Sequence, residues 1–213
     1  MKKTRWHIAQ FFEKQWWKNY LNGKSPEEYL AWKRKYWVGF LNKIALQADL
    51  IQDPIIDIGC GPAGIYMVLE NHEITAVDPL LLHYTALPIF KTEQYPYVNF
   101  EGTTFEELET EEKYQTVFCL NAINHFIDIE YSFQKLHEIC VPGGQVIMSI
   151  DAHNHSFFRK ILAFLPMDIL HPHQYYREEY EAFLTKQGFT ITKKVLIKKD
   201  WVFDYWVLLA SKN

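Results

Sequence analysis

An α/β fold built on a largely parallel sheet is what this sequence predicts, and three observations carry the prediction. The apolar run Ile55, Ile56, Ile58 breaks at once into the loop Gly59-Cys60-Gly61-Pro62-Ala63-Gly64, a strand ending in a glycine turn from which a helix can leave. Further runs at 73–78, 97–100, 116–120 and 145–150 alternate with helical or polar stretches, the pattern of a parallel sheet with crossover connections. Beyond a helix predicted over 177–187, the runs 189–197 and 201–210 flank a turn near Lys199-Asp200, and a closing hairpin makes the sheet mixed.

Length and composition bound the rest. A chain of 213 residues buries one sizeable core, so one domain with an appendage is expected. A net charge of -4 lacks the overall basic footprint of a nucleic-acid binder. Cys60, Cys119 and Cys140 are an odd number without C-x-x-C spacing, which points to free thiols in a reducing compartment, the cytoplasm. The basic start Met1-Lys2-Lys3 is followed by Arg5, His7, Gln10 and Glu13, which interrupt any leader-like apolar run. No stretch reads as a membrane span.

In chain order, the first forty or so residues are rich in aromatics. Trp6, Phe11, Phe12, Trp16, Trp17 and Tyr20 precede an Asn22-Gly23 break; Tyr29, Trp32, Tyr36, Trp37 and Phe40 follow it. Ser25-Pro26-Glu27-Glu28 reads as a helix start, with Ser as N-cap, Pro at the first helical position and Glu closing a capping box. Tyr29, Trp32, Tyr36 and Phe40 then form one stripe at three- and four-residue spacing. Two readings stand: helices that pack on the sheet, or a cap whose aromatics also wall a ligand pocket. Residues 1–46 are taken as this helical cap and 47–213 as the core. A short helix is expected from 65 to 69, a polar helical stretch after Phe105, a helix over 130–140 stopped by Pro142-Gly143-Gly144, and another over 156–165.

The glycine loop carries the functional signal. Gly59, Gly61 and Gly64 fit G-x-G-x-x-G, a weak signal alone. Asp57 sharpens it, because a carboxylate ending an apolar strand is costly to bury unless the loop or a cationic ligand satisfies it. Asp78 ends the second strand about twenty residues past the glycines, where one carboxylate can accept from both vicinal hydroxyls of a ribose; the alternative is a cap on the next helix. Asn121-Ala122-Ile123-Asn124-His125 places polar groups at the carboxyl end of the fourth strand, the edge where open α/β sheets bind ligands.

Taken together, Asp57-Ile58-Gly59-Cys60-Gly61, Val77-Asp78, Asn121-Ala122-Ile123-Asn124-His125 and Val141-Pro142-Gly143-Gly144 make the chain resemble the class I S-adenosylmethionine-dependent methyltransferases, from about residue 47 onward. The resemblance implies a Rossmann-like seven-stranded sheet of order 3-2-1-4-5-7-6, strand 7 antiparallel, with helices on both faces. It implies S-adenosyl-L-methionine as cofactor, held by Asp57, Gly59, Cys60, Gly61, Asp78, Pro79, Thr103, Thr104, Asn121 and Ala122. The sequence departs from the family pattern at Thr103, where an Asp is frequent, and at Tyr114-Gln115-Thr116, where an acid often starts the fourth strand.

The expected acceptor is a small, partly apolar or aromatic molecule methylated on oxygen or nitrogen. His125 is the candidate base or orienting group. His153, His155, His171 and His173 follow it, while Lys33, Arg34 and Tyr36 are candidates to reach the cofactor's carboxylate or the acceptor. No nucleic-acid partner, membrane insertion or metal is expected; the two H-x-H pairs lack a carboxylate partner for metal binding. The chain is expected to be a monomer or homodimer. Alternatives are an NAD(P)-dependent oxidoreductase using the same loop and a non-catalytic cofactor-binding member of the fold.

Overall fold

The computed structural model describes residues 10, 12, 15–17, 19–21, 23–153, 175–201 and 203–213. Seven strands form one sheet: β1 (Ile55–Ile58), β2 (Ile74–Val77), β3 (Val98–Glu101), β4 (Tyr114–Leu120), β5 (Cys140–His153), β6 (Phe189–Lys198) and β7 (Phe203–Lys212). Their order is β3-β2-β1-β4-β5-β7-β6. The pairs β1 with β2, β1 with β4, β2 with β3 and β4 with β5 are parallel; β7 runs antiparallel to both β5 and β6. The expected topology is therefore present, and the reversal of order between β1 and β4 creates the crevice where open α/β sheets bind ligands.

Each face of the sheet is covered separately. On one face Ile56, Ile58, Val117, Val146 and Met148 pack under helices α3 (Ile129–Ile139) and α4 (Arg177–Lys186). Asp128 caps α3 by accepting from Tyr131 N–H at 3.1 Å. On the other face Ile55, Phe118, Ile147 and Val207 pack with Tyr29, Trp37, Phe40, Leu41 and Ile44 of helix α1 (Pro26–Lys43) and its C-terminal flank. Ser25 caps α1, its hydroxyl accepting from Glu28 N–H at 3.3 Å, as the capping residues imply.

Between β1 and β2 the expected helix is replaced by 3-10 turns at Gly61–Ala63 and Ile65–Val68. Such turns are too short to cover a sheet face, and α1, which precedes β1 in sequence, takes that place. Trp37 Nε1 donates to Ala63 O at 2.9 Å, Arg34 donates to Met67 O, and Lys193 Nζ of β6 donates to Ile44 O at 2.8 Å. The inner face of α1 also differs from the expected stripe. Trp32 is 51% exposed, and the inward line runs Tyr29, Lys33, Trp37, Phe40 or Leu41, Ile44. A lysine sits on that line because Asp57 of β1 draws it in, as the site geometry explains below.

Two further differences have local causes. Residues 106–113 form no helix; five glutamates crowd that stretch, and the Glu106 carboxylate is engaged by the backbone N–H groups of Ile127 and Asp128, at 2.7 and 3.3 Å. Pro142-Gly143-Gly144 does not precede β5 but lies inside it as a bulge: Cys140 pairs with Tyr114 and Gln145 with Thr116, leaving four residues of β5 opposite one of β4. Gly143 takes φ +76° there, a conformation that glycine adopts without steric cost. The helix expected over 156–165 lies outside the described residues. Short helix α2 (Leu81–Tyr84) follows β2.

Trp37 gives the most direct test of α1 as a part of the core. It is 4% exposed, and truncating a buried tryptophan costs about 3–5 kcal/mol. Trp37→Ala should lower the urea midpoint of the whole chain in a single transition. Unfolding of an α1-only segment ahead of the sheet would show instead that the helix is a detachable appendage.

Candidate functional site

The site is assembled at the carboxyl ends of β1, β2 and β4. Gly59 N–H and Cys60 N–H both donate to Val77 O, at 2.7 and 3.2 Å, which ties the glycine loop to the end of β2. Gly59 has φ +69°, and a Cβ there would stand 2.3 Å from the Cβ of Ala122. The loop after β4 thus crosses so close to the loop after β1 that only glycine fits. Asn121 makes that crossing at φ 56°; its N–H donates to Ser149 Oγ at 2.8 Å, and Ser149 Oγ donates back to Asn121 Oδ1 at 3.1 Å.

Asp78 clips the loop from the other side. Its Oδ2 accepts from Gly61 N–H at 3.0 Å and its Oδ1 from Leu80 N–H at 2.8 Å. The carboxylate thus caps the turn into α2, as the alternative reading has it, and each oxygen keeps lone-pair capacity for a further donor. Burial pushes its pKa up to about 6, with hydrogen bonds at Leu80, Gly61 and Tyr84 pulling it back.

Asp57 lies beneath the loop, 2% exposed, on the face that α1 covers. A Cβ at Gly64 would come within 2.6 Å of its Oδ2, so the third glycine of the motif makes room for this carboxylate. Burial, then the nearby Asp78 charge, push its pKa up to about 7; the backbone N–H groups of Ile65 and Tyr66, and the Lys33 ammonium, act against this. Oδ2 has no hydrogen-bond partner, although a buried, unpaired carboxylate oxygen is costly. Lys33 reaches toward it from α1, its Nζ held 4.9 Å from the Trp37 ring centroid and 5.1 Å from that of Tyr36. Burial lowers the Lys33 pKa to about 8, with Asp57 opposing the shift.

Above these groups opens a cleft. Gly59, Asp78, Pro79 and Thr104 line it, with Asn121, Ala122 and His125 across from them. Its apolar walls are Ile58, Val77, Phe105 and Phe126, and the last two rings stand 5.6 Å apart at 35°. The arrangement suits a molecule with a flat apolar part, hydroxyls near Asp78 and a cationic group near Asp57. A Cβ placed on Gly61 would meet no atom within 4 Å, so the outer side of the loop is open for a ligand to lie against the backbone.

Of the other candidates, Asp57 and Gly61 support the cleft without lining it. Cys60 is buried, and burial raises its thiol pKa far above the usual range, so it is a neutral packing group. Thr103 sits in the turn before Thr104, its N–H donating to Glu101 O at 3.0 Å, and does not line the cleft. Arg34 is engaged with Met67 O and, at 2.9 Å, with Glu70. His153 is buried at the end of β5 against Phe203, with ring centroids 4.4 Å apart, and does not line the cleft; His155, His171 and His173 lie outside the described residues. Sequence reasoning missed Gln10, Glu106, Phe105 and Phe126, which also line it. An isolated Gln and an acid within an acidic run carry no signal, whereas the two phenylalanines flank motif residues. Among the described residues, no group of three or more His, Cys, Asp or Glu could hold a metal ion, and no helix is long and apolar enough to cross a membrane.

The chain is similar to known proteins in both sequence and fold. A family model described as a methyltransferase domain matches residues 29–194. The ubiquinone biosynthesis O-methyltransferase of Rickettsia prowazekii (strain Madrid E) is 30% identical over 103 residues, 47% of this chain and 41% of that protein; the match spans less than half the length of such curated relatives. The N-methyltransferase NodS from Bradyrhizobium japonicum WM9, in complex with S-adenosyl-L-homocysteine, superimposes with TM-score 0.64 at 14% identity over 90% of each chain. Magnesium protoporphyrin IX methyltransferase from Synechocystis PCC 6803, with the same product bound, gives 0.62 at 16% identity over 84% of this chain and 83% of that one. At these identities the likeness is one of fold.

The two buried acids set a pH signature for the protein without ligand. Their folded pKa values lie above the ordinary 3.8, so between about pH 4 and 7 the folded state holds protons that the unfolded chain has released. The contribution of these two acids to stability then falls as pH rises through that window. Asp57→Asn, neutral at every pH, should flatten the decline in a series of thermal melts; a slope identical to the parent's would mean that Asp57 is ionised throughout.

Proposed function

The chain belongs to the methyltransferase-domain family, and on that premise we propose that it uses S-adenosyl-L-methionine to methylate an oxygen of a small, partly apolar aromatic acceptor. The observation that carries the reading is the buried Asp57 carboxylate with its unpartnered Oδ2, placed under a glycine loop that Asp78 clips at the crevice of a 3-2-1-4-5-7-6 sheet. Choosing oxygen over nitrogen rests on the name of the relatives, ubiquinone biosynthesis O-methyltransferase.

The residues fit the cofactor. Asp78 would take the ribose hydroxyls, Phe105 and Phe126 with Ile58 and Val77 the adenine, and Asp57 the cationic methionine end. Gly59, Cys60 and Gly61 give the backbone against which it lies; Pro79, Thr103, Thr104, Asn121 and Ala122 complete the wall, with Thr103 acting through the turn that sets Thr104. When bound, S-adenosylmethionine supplies an activated methyl: an acceptor lone pair forms the new bond to carbon as the carbon–sulfur pair returns to sulfur, and the acceptor's proton leaves to solvent or a base. The chain's work is to align the acceptor and keep water out. His125, on the cleft wall, is the candidate to take that proton.

In this reading residues 1–46 form the helical cap and 47–213 the cofactor-binding core. What supports it is that Trp37, Phe40 and Leu41 pack on a sheet face and that the Lys33 ammonium acts on Asp57 beneath the glycine loop. The buried thiols of Cys60, Cys119 and Cys140 support a reducing, cytoplasmic setting.

Calorimetric titration with S-adenosylhomocysteine tests the cofactor. Asp78→Ala should weaken binding at least about tenfold, since charge-assisted hydrogen bonds contribute roughly 1.5–3 kcal/mol. Unchanged affinity in a folded variant, or a parent that binds NADH in preference, would overturn the assignment.

A further inference from the structure

The residues ahead of α1 turn one face to the protein and another to solvent. Gln10, Phe12, Trp16, Trp17 and Tyr20 are helical. Gln10, Trp17 and Leu21 share one side by helical periodicity and face inward: Gln10 lines the cleft, the Trp17 ring centroid stands 6.1 Å from that of Tyr84, and Leu21 is buried. Phe12 and Trp16, one turn apart on the opposite side, are 49% and 51% exposed. From Trp16 a line of rings continues onto α1. Trp16 stacks on Tyr20 at 4.6 Å, Tyr20 stands 6.1 Å from Tyr29, and Tyr29 stands 5.8 Å from the half-exposed Trp32. Lys24 lies along this line, its Nζ 3.1 Å from the Tyr20 centroid, and exposed Lys35 follows Trp32 by one turn.

The charge of the chain is divided along the same line. Residues 1–35 hold nine Lys and Arg against three acids, Glu13, Glu27 and Glu28, whereas the remaining residues hold 13 against 23. A positive end on a chain of net charge -4 points to an anionic partner. Exposed Trp and Phe on a helix beside lysines are the chemistry of an interfacial helix, whose rings sink to the boundary of headgroups and acyl chains while its cations stay with the phosphates. We propose that this face, carried by Phe12, Trp16, Trp32, Lys24 and Lys35, docks the protein on the surface of an anionic lipid bilayer without spanning it. Nucleic acid suits it less: bases stack on aromatics gathered with arginines in a groove or on a sheet, whereas these rings project outward from helices and Arg34 is engaged with Met67 O and Glu70. Docking does not depend on the methyltransferase reading. It adds to that reading a route: Gln10 at the cleft stands two residues before Phe12, so a partly apolar acceptor can enter from the bilayer.

The test is co-flotation of the full chain with phosphatidylcholine vesicles, made with and without phosphatidylglycerol. At about 0.1 M salt the protein should float with the anionic vesicles and stay behind with the neutral ones, and about 0.5 M salt should release it by screening. Trp16→Ala and Trp32→Ala should each lower the partition coefficient about tenfold, through the apolar area each ring removes from water. Lys24→Gln and Lys35→Gln should each lower it about fivefold, and this pair reads the same contact without removing a ring. All four variants should keep the parent's melting temperature and its S-adenosylhomocysteine affinity. A parent that stays behind with both kinds of vesicle, that floats equally with both, or that loses nothing in the tryptophan and lysine variants overturns the proposal. Release from the vesicles by a short duplex RNA bound in preference assigns the face to nucleic acid, and a dimer that Trp16→Ala dissociates in sedimentation assigns it to a second copy; either result overturns the proposal as well. A parent that floats as described but binds no S-adenosylhomocysteine upholds the docking and overturns the cofactor reading alone.

Discussion

Asp57 is an ionisable group placed where the solvent cannot reach it, and much of the architecture around it is a response to that placement. It follows two isoleucines in a four-residue strand buried along its whole length. The cost of putting a carboxylate there is several kcal/mol unless the surroundings compensate. Gly64 gives it room, the N–H groups of Ile65 and Tyr66 approach it, and Lys33 turns inward from a helix that would otherwise present an apolar residue at that position. The compensation is incomplete, since one oxygen remains without a partner. A bound cation would complete it, so the energy stored in an imperfectly satisfied acid becomes affinity for the ligand that satisfies it.

This dependence also shows why some parts of the molecule were legible in the sequence and others were not. The sheet, its crossovers and the glycine loop announce themselves through short apolar runs and through glycines whose backbone requirements are local. Gly59 is needed because Ala122 crosses it and Gly64 because Asp57 lies behind it, yet both belong to a spacing that can be read before the neighbours are known. The inner face of α1 could not be read in that way. Hydrophobic periodicity places Trp32 inside, whereas the fold exposes it and turns Lys33 inward, because a partner 24 residues downstream outweighs the lysine's own preference for water.

The same limit applies to the cleft walls. Asp78, Asn121 and His125 sit at strand ends, where a sequence pattern marks them. Glu106 instead belongs to an acidic stretch that reads as a solvated helix, and only the approach of Ile127 and Asp128 in space turns its carboxylate into the tie between two loops. Lys135 adds to that tie by donating to Glu106 O and Leu108 O, at 3.1 and 2.5 Å.

The position of β7 carries a consequence for how the molecule is made. β7 is inserted between β5 and β6, although both of those are synthesised before it. Until β7 has left the ribosome, β5 presents a long bare edge and β6 has no neighbour to pair with, while α1 waits for Val207 and Lys193 to close over it. An exposed edge strand is a template for pairing with other chains, so the nascent polypeptide passes through a stage that invites aggregation and favours chaperone protection. Completion of the sheet is therefore a late, cooperative event in which α1 and β7 are fixed together.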